Sequence, residues 1–174
     1  MRPTLRRCLT LVAVTKNATK FDLDTIGAGL PVHAQLATIR DAGSVVVQAP
    51  PGTGKTTLIP PLISNEVSET VGKVVVTAPK RVAVRAAASR LASLDGSVIG
   101  DRVGYTIRGD AQPGRLVEFV TLKVLIRRLL RDPELAGVGA IIIDEVHERQ
   151  LDGDLLLGMV AELAVLRPEL RVVA

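Results

Sequence analysis

The sequence predicts an α/β fold, in which an open parallel β-sheet carries helices on both faces. The first observation is the composition, since 47% of the 174 residues are hydrophobic but only 2% are aromatic. The core must therefore be aliphatic, and strands that are apolar along their whole length are typical of parallel sheets covered on both faces. The second observation is a strand-then-helix rhythm that begins near residue 30. Such alternation favours parallel strands joined by right-handed crossovers.

Apolar runs and turn residues predict the elements in chain order. The predicted strands are residues 44–49, 73–78, 102–107, 116–120, 138–143 and 170–173. The predicted helices are residues 32–42, 55–62, 81–94, 121–131 and 154–166, the last of them amphipathic. Gly43 and Gly96 follow two of these helices, and Thr121 is placed to cap another. The pair Pro60-Pro61 is expected to disturb the end of the helix that contains it.

A glycine-rich loop, Ala-Pro-Pro-Gly-Thr-Gly-Lys-Thr-Thr at residues 49–57, follows the first predicted strand and opens the next helix. That is the context of a phosphate-binding loop, although Ala49 stands where the usual pattern begins with Gly. Glycines let successive backbone N–H groups turn onto phosphate oxygens, and the helix amino end favours the same anion. Lys55 would supply charge to the β- and γ-phosphates, and the Thr56 hydroxyl would bind Mg²⁺. The predicted nucleotide-binding residues are Gly52, Thr53, Gly54, Lys55, Thr56 and Thr57.

Two carboxylates, Asp144 and Glu145, follow the predicted strand 138–143. Open α/β sheets bind their ligands at the carboxyl ends of the strands. Asp144 would hold Mg²⁺ directly or through water, and Glu145 would polarise the water that attacks the γ-phosphate. Alone, such a pair could equally begin a helix, but together with a phosphate-binding loop it favours catalysis. His147 lacks a second His or Cys at ligand spacing, so we predict a hydrogen-bonding or coupling role in catalysis and not a zinc site.

The net charge of +4 is unevenly distributed. Residues 1–20 hold five basic side chains and no acid, residues 80–131 hold 11 basic against four acidic, and residues 132–154 hold seven acidic against one basic. A basic region followed by an acidic one fits a protein that meets phosphates and a metal ion at different places. It fits two solvated surfaces equally well.

The sequence predicts no membrane association, because no apolar run approaches the roughly 18 residues of a membrane span. A single cysteine, Cys8, excludes an intramolecular disulfide and favours a cytoplasmic protein. Residues 1–20 form a basic segment with three open interpretations: a disordered tail, an additional edge strand or an extended translation start.

On these two motifs the sequence resembles the DEAH-box RNA helicases of superfamily 2. The segment Asp144-Glu145-Val146-His147 matches their signature with Val in the third place, and residues 49–57 match their phosphate loop. The resemblance runs from about residue 21 to residue 174 and implies a RecA-like ATP-binding domain there. It further implies hydrolysis of ATP, or of other NTPs, with Mg²⁺, coupled to unwinding or remodelling of RNA or another nucleic acid. No small-molecule substrate beyond the NTP is expected.

The same resemblance implies nucleic-acid contacts. Residues 77–83 are similar to the family's motif Ia, whose basic pair matches Lys80 and Arg81. Residues 104–109 resemble its Gly-Tyr-x-x-Arg strand, and residues 121–127 resemble its next RNA-contacting segment, which assigns Thr121 and Arg127 to single-stranded RNA. Lys123 departs from the family, which usually has Gly there. Without the resemblance, these basic residues would also fit a solvated helix start.

Residues 171–174 resemble the strand that leads into the family's Ser-Ala-Thr motif, so the second RecA-like domain and its arginine finger are expected outside this sequence. Such a finger contributes about 10³–10⁵ in rate, and the chain alone is expected to hydrolyse NTP poorly. A module that binds ATP-Mg²⁺ and nucleic acid without turnover is therefore the second interpretation. A third is an unrelated P-loop phosphotransferase, which the acidic motif at 144–149 disfavours.

Overall fold

A six-stranded sheet lies between two layers of helices in the computed structural model, which describes residues 20–67, 72–148 and 150–174. The strands are β1 (Lys73–Ala78), β2 (Val103–Ile107), β3 (Asp110–Gln112), β4 (Val117–Thr121), β5 (Val138–Ile143) and β6 (Arg171–Val173). The α-helices are α1 (Leu23–Ile26), α2 (Leu36–Asp41), α3 (Lys55–Glu66), α4 (Arg81–Asp95), α5 (Leu122–Arg131) and α6 (Leu151–Leu166). Two 3₁₀ helices span Pro31–Gln35 and Val146–Glu148. The predicted α/β class is confirmed.

The strand order across the sheet is β3-β2-β4-β1-β5-β6, and every pair is parallel except β2 with β3. At the centre, Ala78 of β1 lies opposite Thr121 of β4, and Thr77 lies opposite Ile143 of β5. The three central strands therefore end at one level. Residues that follow them in sequence emerge together at the carboxyl edge of the sheet.

The sheet divides the core into two apolar clusters. One face packs against α1 to α4 and contains Val74, Val76 and Phe119, while the other packs against α5 and α6 and contains Val75 and Ile141. Successive residues of a strand point to opposite faces, so a continuous apolar run in β1 supplies both clusters. This arrangement confirms the prediction of helices on both faces.

The predicted strand 44–49 is wrong as a regular strand. Only Val45 forms a bridge, to Val173 of β6, with hydrogen bonds from the Val45 and Val47 amides to the Val172 and Ala174 carbonyls. The segment lies beyond β6 at the margin of the sheet and pairs along one side with a strand of three residues. With so short a partner, the ladder cannot develop.

Two helix predictions also need correction. The stretch 32–42 is a 3₁₀ helix followed by the short α2, not one helix. Pro60 and Pro61 do not disturb the end of α3, which continues to Glu66. Both prolines and their neighbours are buried from Leu58 to Ile63, so apolar packing offsets the two missing backbone hydrogen bonds.

The structure differs from the prediction in several smaller ways. Sequence reasoning missed the strand β3, and α6 begins three residues earlier than predicted, at Leu151. The helix α6 is apolar on its exposed side as well, where Leu151 is 85% and Val165 is 79% exposed. Thr121 occupies the N-cap of α5, but its side chain makes no capping hydrogen bond.

The basic segment 1–20 lies outside the described residues except for Lys20, and its three interpretations stay untested. Within the described part of the chain, no helix combines the length and the apolarity that a membrane crossing requires.

The buried carboxylate of Glu118 joins four elements in the middle of the sheet. Glu118 on β4 is fully buried and accepts hydrogen bonds from Arg128 of α5 at 2.5 and 3.1 Å and from the Thr106 hydroxyl of β2 at 2.5 Å. It also forms an ion pair with Lys73 of β1. Burial by itself would raise the pKa of Glu118, but the hydrogen bonds from Arg128, Lys73 and Thr106 outweigh it and lower the pKa from 4.5 to about 2.

Glu118→Gln is expected to lower the free energy of unfolding by roughly 3 kcal/mol at neutral pH, because Lys73 and Arg128 then keep charges without a counter-ion. The folded pKa lies below the ordinary value, so the carboxylate stabilises the fold fully above about pH 5 and loses this effect as pH falls toward 2. Urea unfolding should show a gap between wild type and variant that closes over this range. A gap that stays constant into acid would contradict the assignment. Glu162→Gln, at an exposed position of α6, is the matched control and should change stability by less than about 0.5 kcal/mol.

Candidate nucleotide-binding site

The glycine-rich loop turns sharply between the margin of the sheet and α3. Gly52 and Gly54 have φ of 79° and 93°, in the left-handed region that a side chain disfavours. Gly54 is the N-cap of α3, and the amides of Thr57 and Leu58 donate to its carbonyl at 3.1 and 2.9 Å. Thr57 is thus already inside the helical pattern. The N–H groups of Lys55 and Thr56 precede these bonds and have no acceptor within the helix, as anion binding at a helix amino end requires.

A segment ahead of the loop holds it in place. The Val32 amide donates to the Thr53 carbonyl at 3.1 Å, and the Thr53 hydroxyl donates to the Pro50 carbonyl at 2.9 Å. Leu30 packs so closely that a Cβ on Gly54 would lie 2.7 Å from its Cδ1. Sequence reasoning missed this support, because a Leu–Gly contact 24 positions apart leaves no periodic signal.

The two predicted motifs meet at a single hydrogen bond. The Thr56 hydroxyl donates to Asp144 Oδ2 at 2.6 Å, although the residues are 88 positions apart. The ammonium group of Lys55 donates to the carbonyl of Ala49, across the loop. A cation, a hydroxyl and a carboxylate are thereby gathered at the amino end of α3, in the arrangement that a nucleotide phosphate and its metal ion need.

The chain turns abruptly after β5. Glu145 has φ of 58°, a left-handed conformation that L-residues other than Gly adopt at a cost of about 1–2 kcal/mol. Its amide donates to Asp144 Oδ1 at 3.0 Å, and its Oε2 lies 3.2 Å from Nε2 of His147. The side chains of Glu145 and His147 are 44% and 80% exposed, so both can reach a ligand. Strain of this kind clusters at functional sites.

A cleft of about 650 Å³ joins these groups. Its volume lies within the range of about 300–1,000 Å³ found for small-molecule sites. The residues lining it include the predicted Lys55, Thr56, Asp144, Glu145 and His147. The structure therefore brings Lys55 and Thr56 into one cavity with the predicted catalytic residues. The other predicted nucleotide-binding residues, Gly52, Thr53, Gly54 and Thr57, do not line this cleft.

Three of the four predicted nucleic-acid residues lie along the neighbouring part of the same edge. Lys80 and Arg81 follow β1 and are exposed at the amino end of α4, and Thr121 ends β4 and is half-buried. Arg127 is exposed further along α5, which packs on the opposite face of the sheet from α4. Lys123, which departs from the family pattern, pairs with Asp152 of α6 at 3.4 Å.

The fold and the site define a class of protein: a RecA-like domain with a phosphate-binding loop and an acidic strand end. The sequence profile of the DEAD/DEAH box helicase family matches residues 32–172. The chain therefore belongs to the DEAD/DEAH box helicases, as its resemblance implied.

Individual relatives agree with this family. The chain is 41% identical over 143 residues to the ATP-dependent RNA helicase HrpB of Escherichia coli (strain K12), covering 78% of this chain and 17% of that protein. It is 38% identical over 133 residues to RNA editing associated helicase 2 of Trypanosoma brucei brucei, covering 74% and 6%. The crystal structure of the Escherichia coli DEAH/RHA helicase HrpB matches with a TM-score of 0.74 and 39% identity, covering 83% of this chain and 19% of that chain. The chain thus spans less than a fifth of the length of these relatives.

Gly54→Ala is expected to weaken ATP binding at least about tenfold, because the added Cβ strains the backbone and displaces the loop from Leu30. Isothermal titration with ATP and urea unfolding measure the two effects. Gly43→Ala is the matched control, since Gly43 also has positive φ, at 67°, but open space around it. It should lose about 1 kcal/mol of stability from the backbone alone and keep its ATP affinity. Equal losses of affinity in both variants would refute the role of the Leu30 contact.

Proposed function

We propose that the chain is the ATP-hydrolysing domain of an RNA-dependent helicase, and that its cleft binds Mg-ATP. The observation that carries the proposal is the hydrogen bond of 2.6 Å between Thr56 and Asp144. It places Thr56, which follows Lys55 in the phosphate loop, against the acidic end of β5. A glycine-rich turn or an acidic strand end would each be ambiguous alone, but their contact fits nucleotide hydrolysis.

The donor set fits Mg²⁺. Magnesium in nucleotide sites is held by one or two protein oxygens and completes its shell with water and phosphate. Thr56 and Asp144 supply one hydroxyl and one carboxylate, and we propose them as its protein ligands. When bound, Mg²⁺ neutralises charge that develops on the β- and γ-phosphates.

The other residues act on phosphate and water. Lys55 would give up its hydrogen bond to the Ala49 carbonyl and bind the β- and γ-phosphates instead. This exchange requires only a short rotation of its flexible side chain. Glu145 would accept a proton from the attacking water, and its left-handed backbone directs the residue away from the line of β5. His147, whose Nε2 lies 3.2 Å from Oε2 of Glu145, would orient that carboxylate or couple it to the rest of the protein.

The nucleic-acid surface is proposed from charge and position. Lys80 and Arg81 would bind phosphates of a single strand, joined by Thr121 and Arg127 from β4 and α5. We propose RNA as the nucleic acid because the relatives are named as RNA helicases or for RNA editing, and because backbone contacts alone do not distinguish RNA from DNA.

The domain is proposed to span residues 21–174, with residues 1–20 as a separate basic tail, and to work in the cytoplasm.

Binding without turnover is the second candidate, and one observation favours it. No arginine lines the cleft among the described residues, although an arginine near the γ-phosphate contributes about 10³–10⁵ in rate. Slow hydrolysis by the chain alone would therefore agree with both candidates, and the effect of Glu145 on the rate decides between them.

Glu145→Gln is expected to reduce kcat for ATP by about 10²–10⁴ while leaving ATP affinity unchanged, because it removes the proton acceptor and keeps the shape. Lys55→Ala should instead lose ATP binding. Hydrolysis is measured by phosphate release from the purified chain, with and without a single-stranded RNA oligonucleotide. RNA should stimulate the wild type, and Glu162→Gln, an exposed carboxylate of α6, should behave like it. Wild-type turnover that is indifferent to Glu145 would overturn the catalytic proposal, and ATP binding without any turnover would establish the binding module.

A further inference from the structure

Three side chains from three elements form a contact at the outer margin of the sheet. The carboxylate of Asp110, the first residue of β3, accepts hydrogen bonds from Arg85 Nη2 of α4 at 2.5 Å and from the Tyr105 hydroxyl of β2 at 2.9 Å. The Arg85 guanidinium also lies 5.8 Å from the centre of the Tyr105 ring. The hydrogen bonds from Arg85 and then Tyr105 lower the pKa of Asp110, so the contact holds an ionised carboxylate. Neither the phosphate loop nor the catalytic carboxylates use it.

The contact fixes a hairpin. Strands β2 and β3 are antiparallel, with Ile107 opposite Asp110, so Arg108 and Gly109 form a two-residue turn between them. Gly109 has φ of 86°, as the second central residue of a type II turn requires. Arg108 is exposed at the tip of this turn. Asp110, two residues further on, is the point at which the hairpin is attached to α4.

The attachment point on α4 lies beside the proposed nucleic-acid surface. Arg85 follows Arg81 by four residues, so their Cβ atoms are about 5–6 Å apart on one helix face. The parallel register also aligns the strand ends, since Thr106 of β2 and Thr77 of β1 both lie opposite Val120 of β4. Strands β2 and β1 are two spacings apart, or about 10 Å. The hairpin tip therefore emerges at the same carboxyl edge as the amino end of α4.

We propose that Asp110 is a positioning residue for nucleic acid: by binding Arg85 and Tyr105 it holds the hairpin so that Arg108, the Arg of the segment 104–109 that resembles the family's Gly-Tyr-x-x-Arg strand, lies beside Lys80 and Arg81. The inference rests on the proposed nucleic-acid function. A carboxylate beside this surface would by itself repel phosphates. The direct electrostatic effect of Asp110 would therefore weaken nucleic-acid binding, whereas its positioning of Arg108 would strengthen it. Removing the charge of Asp110 tightens binding if the carboxylate acts only through its field, and weakens binding if it positions Arg108.

The test measures the dissociation constant for a fluorescent single-stranded oligouridylate by anisotropy, at several salt concentrations, with the full 174-residue chain. Asp110→Asn should bind about three- to tenfold more weakly than wild type, and the magnitude of its salt slope should fall by about one. Arg108→Ala should give the same result, and the double variant should be no weaker than either single variant. Tyr105→Phe removes one of the two hydrogen bonds and should produce a smaller loss in the same direction.

Asp101→Asn is the matched control, because Asp101 is exposed before the start of β2, at the end opposite the hairpin. The Asp101→Asn variant makes the same change of charge and should bind the oligonucleotide as tightly as wild type or more tightly.

If circular dichroism shows that Asp110→Asn does not fold, Tyr105→Phe and the double variant Tyr105→Phe with Arg108→Ala decide the question. Wild-type affinity in Asp110→Asn, or losses that add in the double variants, would overturn the inference alone. A wild-type chain that does not bind the oligonucleotide, with or without ATP, would instead overturn the proposed nucleic-acid function.

Discussion

Parallel pairing of β1 with β4 and β5 is the constraint from which the positions of the functional residues follow. Parallel strands all end at one edge of a sheet, and here Ala78, Thr121 and Ile143 end their strands within one register step of one another. The residues just beyond these ends therefore share one surface, although long helices separate them in sequence. An antiparallel arrangement would distribute them over both edges.

The proposed nucleotide site depends on this edge and on a second support, the contact of Leu30 with the loop. Asp144 reaches Thr56 because β5 ends beside α3, whereas Gly54 keeps its conformation because Leu30 packs against it. The Glu118 network fastens α5 to the strands from the face away from α3. Charged groups thus lie at two levels of this domain: Glu118 links the strands within the core, and Asp144, a proposed Mg²⁺ ligand, lies at the end of β5.

The sequence was sufficient for features that local chemistry determines. Continuous apolar runs identify β1 and β5 with the bounds that the structure shows, and Gly-Lys-Thr at the start of a helix identifies the phosphate loop. Features that depend on a neighbour were missed. Residues 44–49 are apolar enough for a strand but meet only the three residues of β6, and β3 is a polar segment of three residues that forms by pairing with β2. The contact between Leu30 and Gly54 likewise has no local signature.

Strand order also turns the uneven charge of the chain into a spatial division. The basic stretch 80–131 contains α4, β2, β4 and α5, and the acidic stretch 132–154 contains the end of β5. In the sheet, β2 and β4 lie on one side of β1, while β5 and β6 lie on the other. Lys80 follows β1 and Asp144 follows β5, two adjacent strands about 5 Å apart. The proposed Mg²⁺ ligand Asp144 and the proposed phosphate-binding residue Lys80 are therefore separated by little more than one strand spacing, although 63 positions of sequence lie between them in a chain whose charge is divided in the same order.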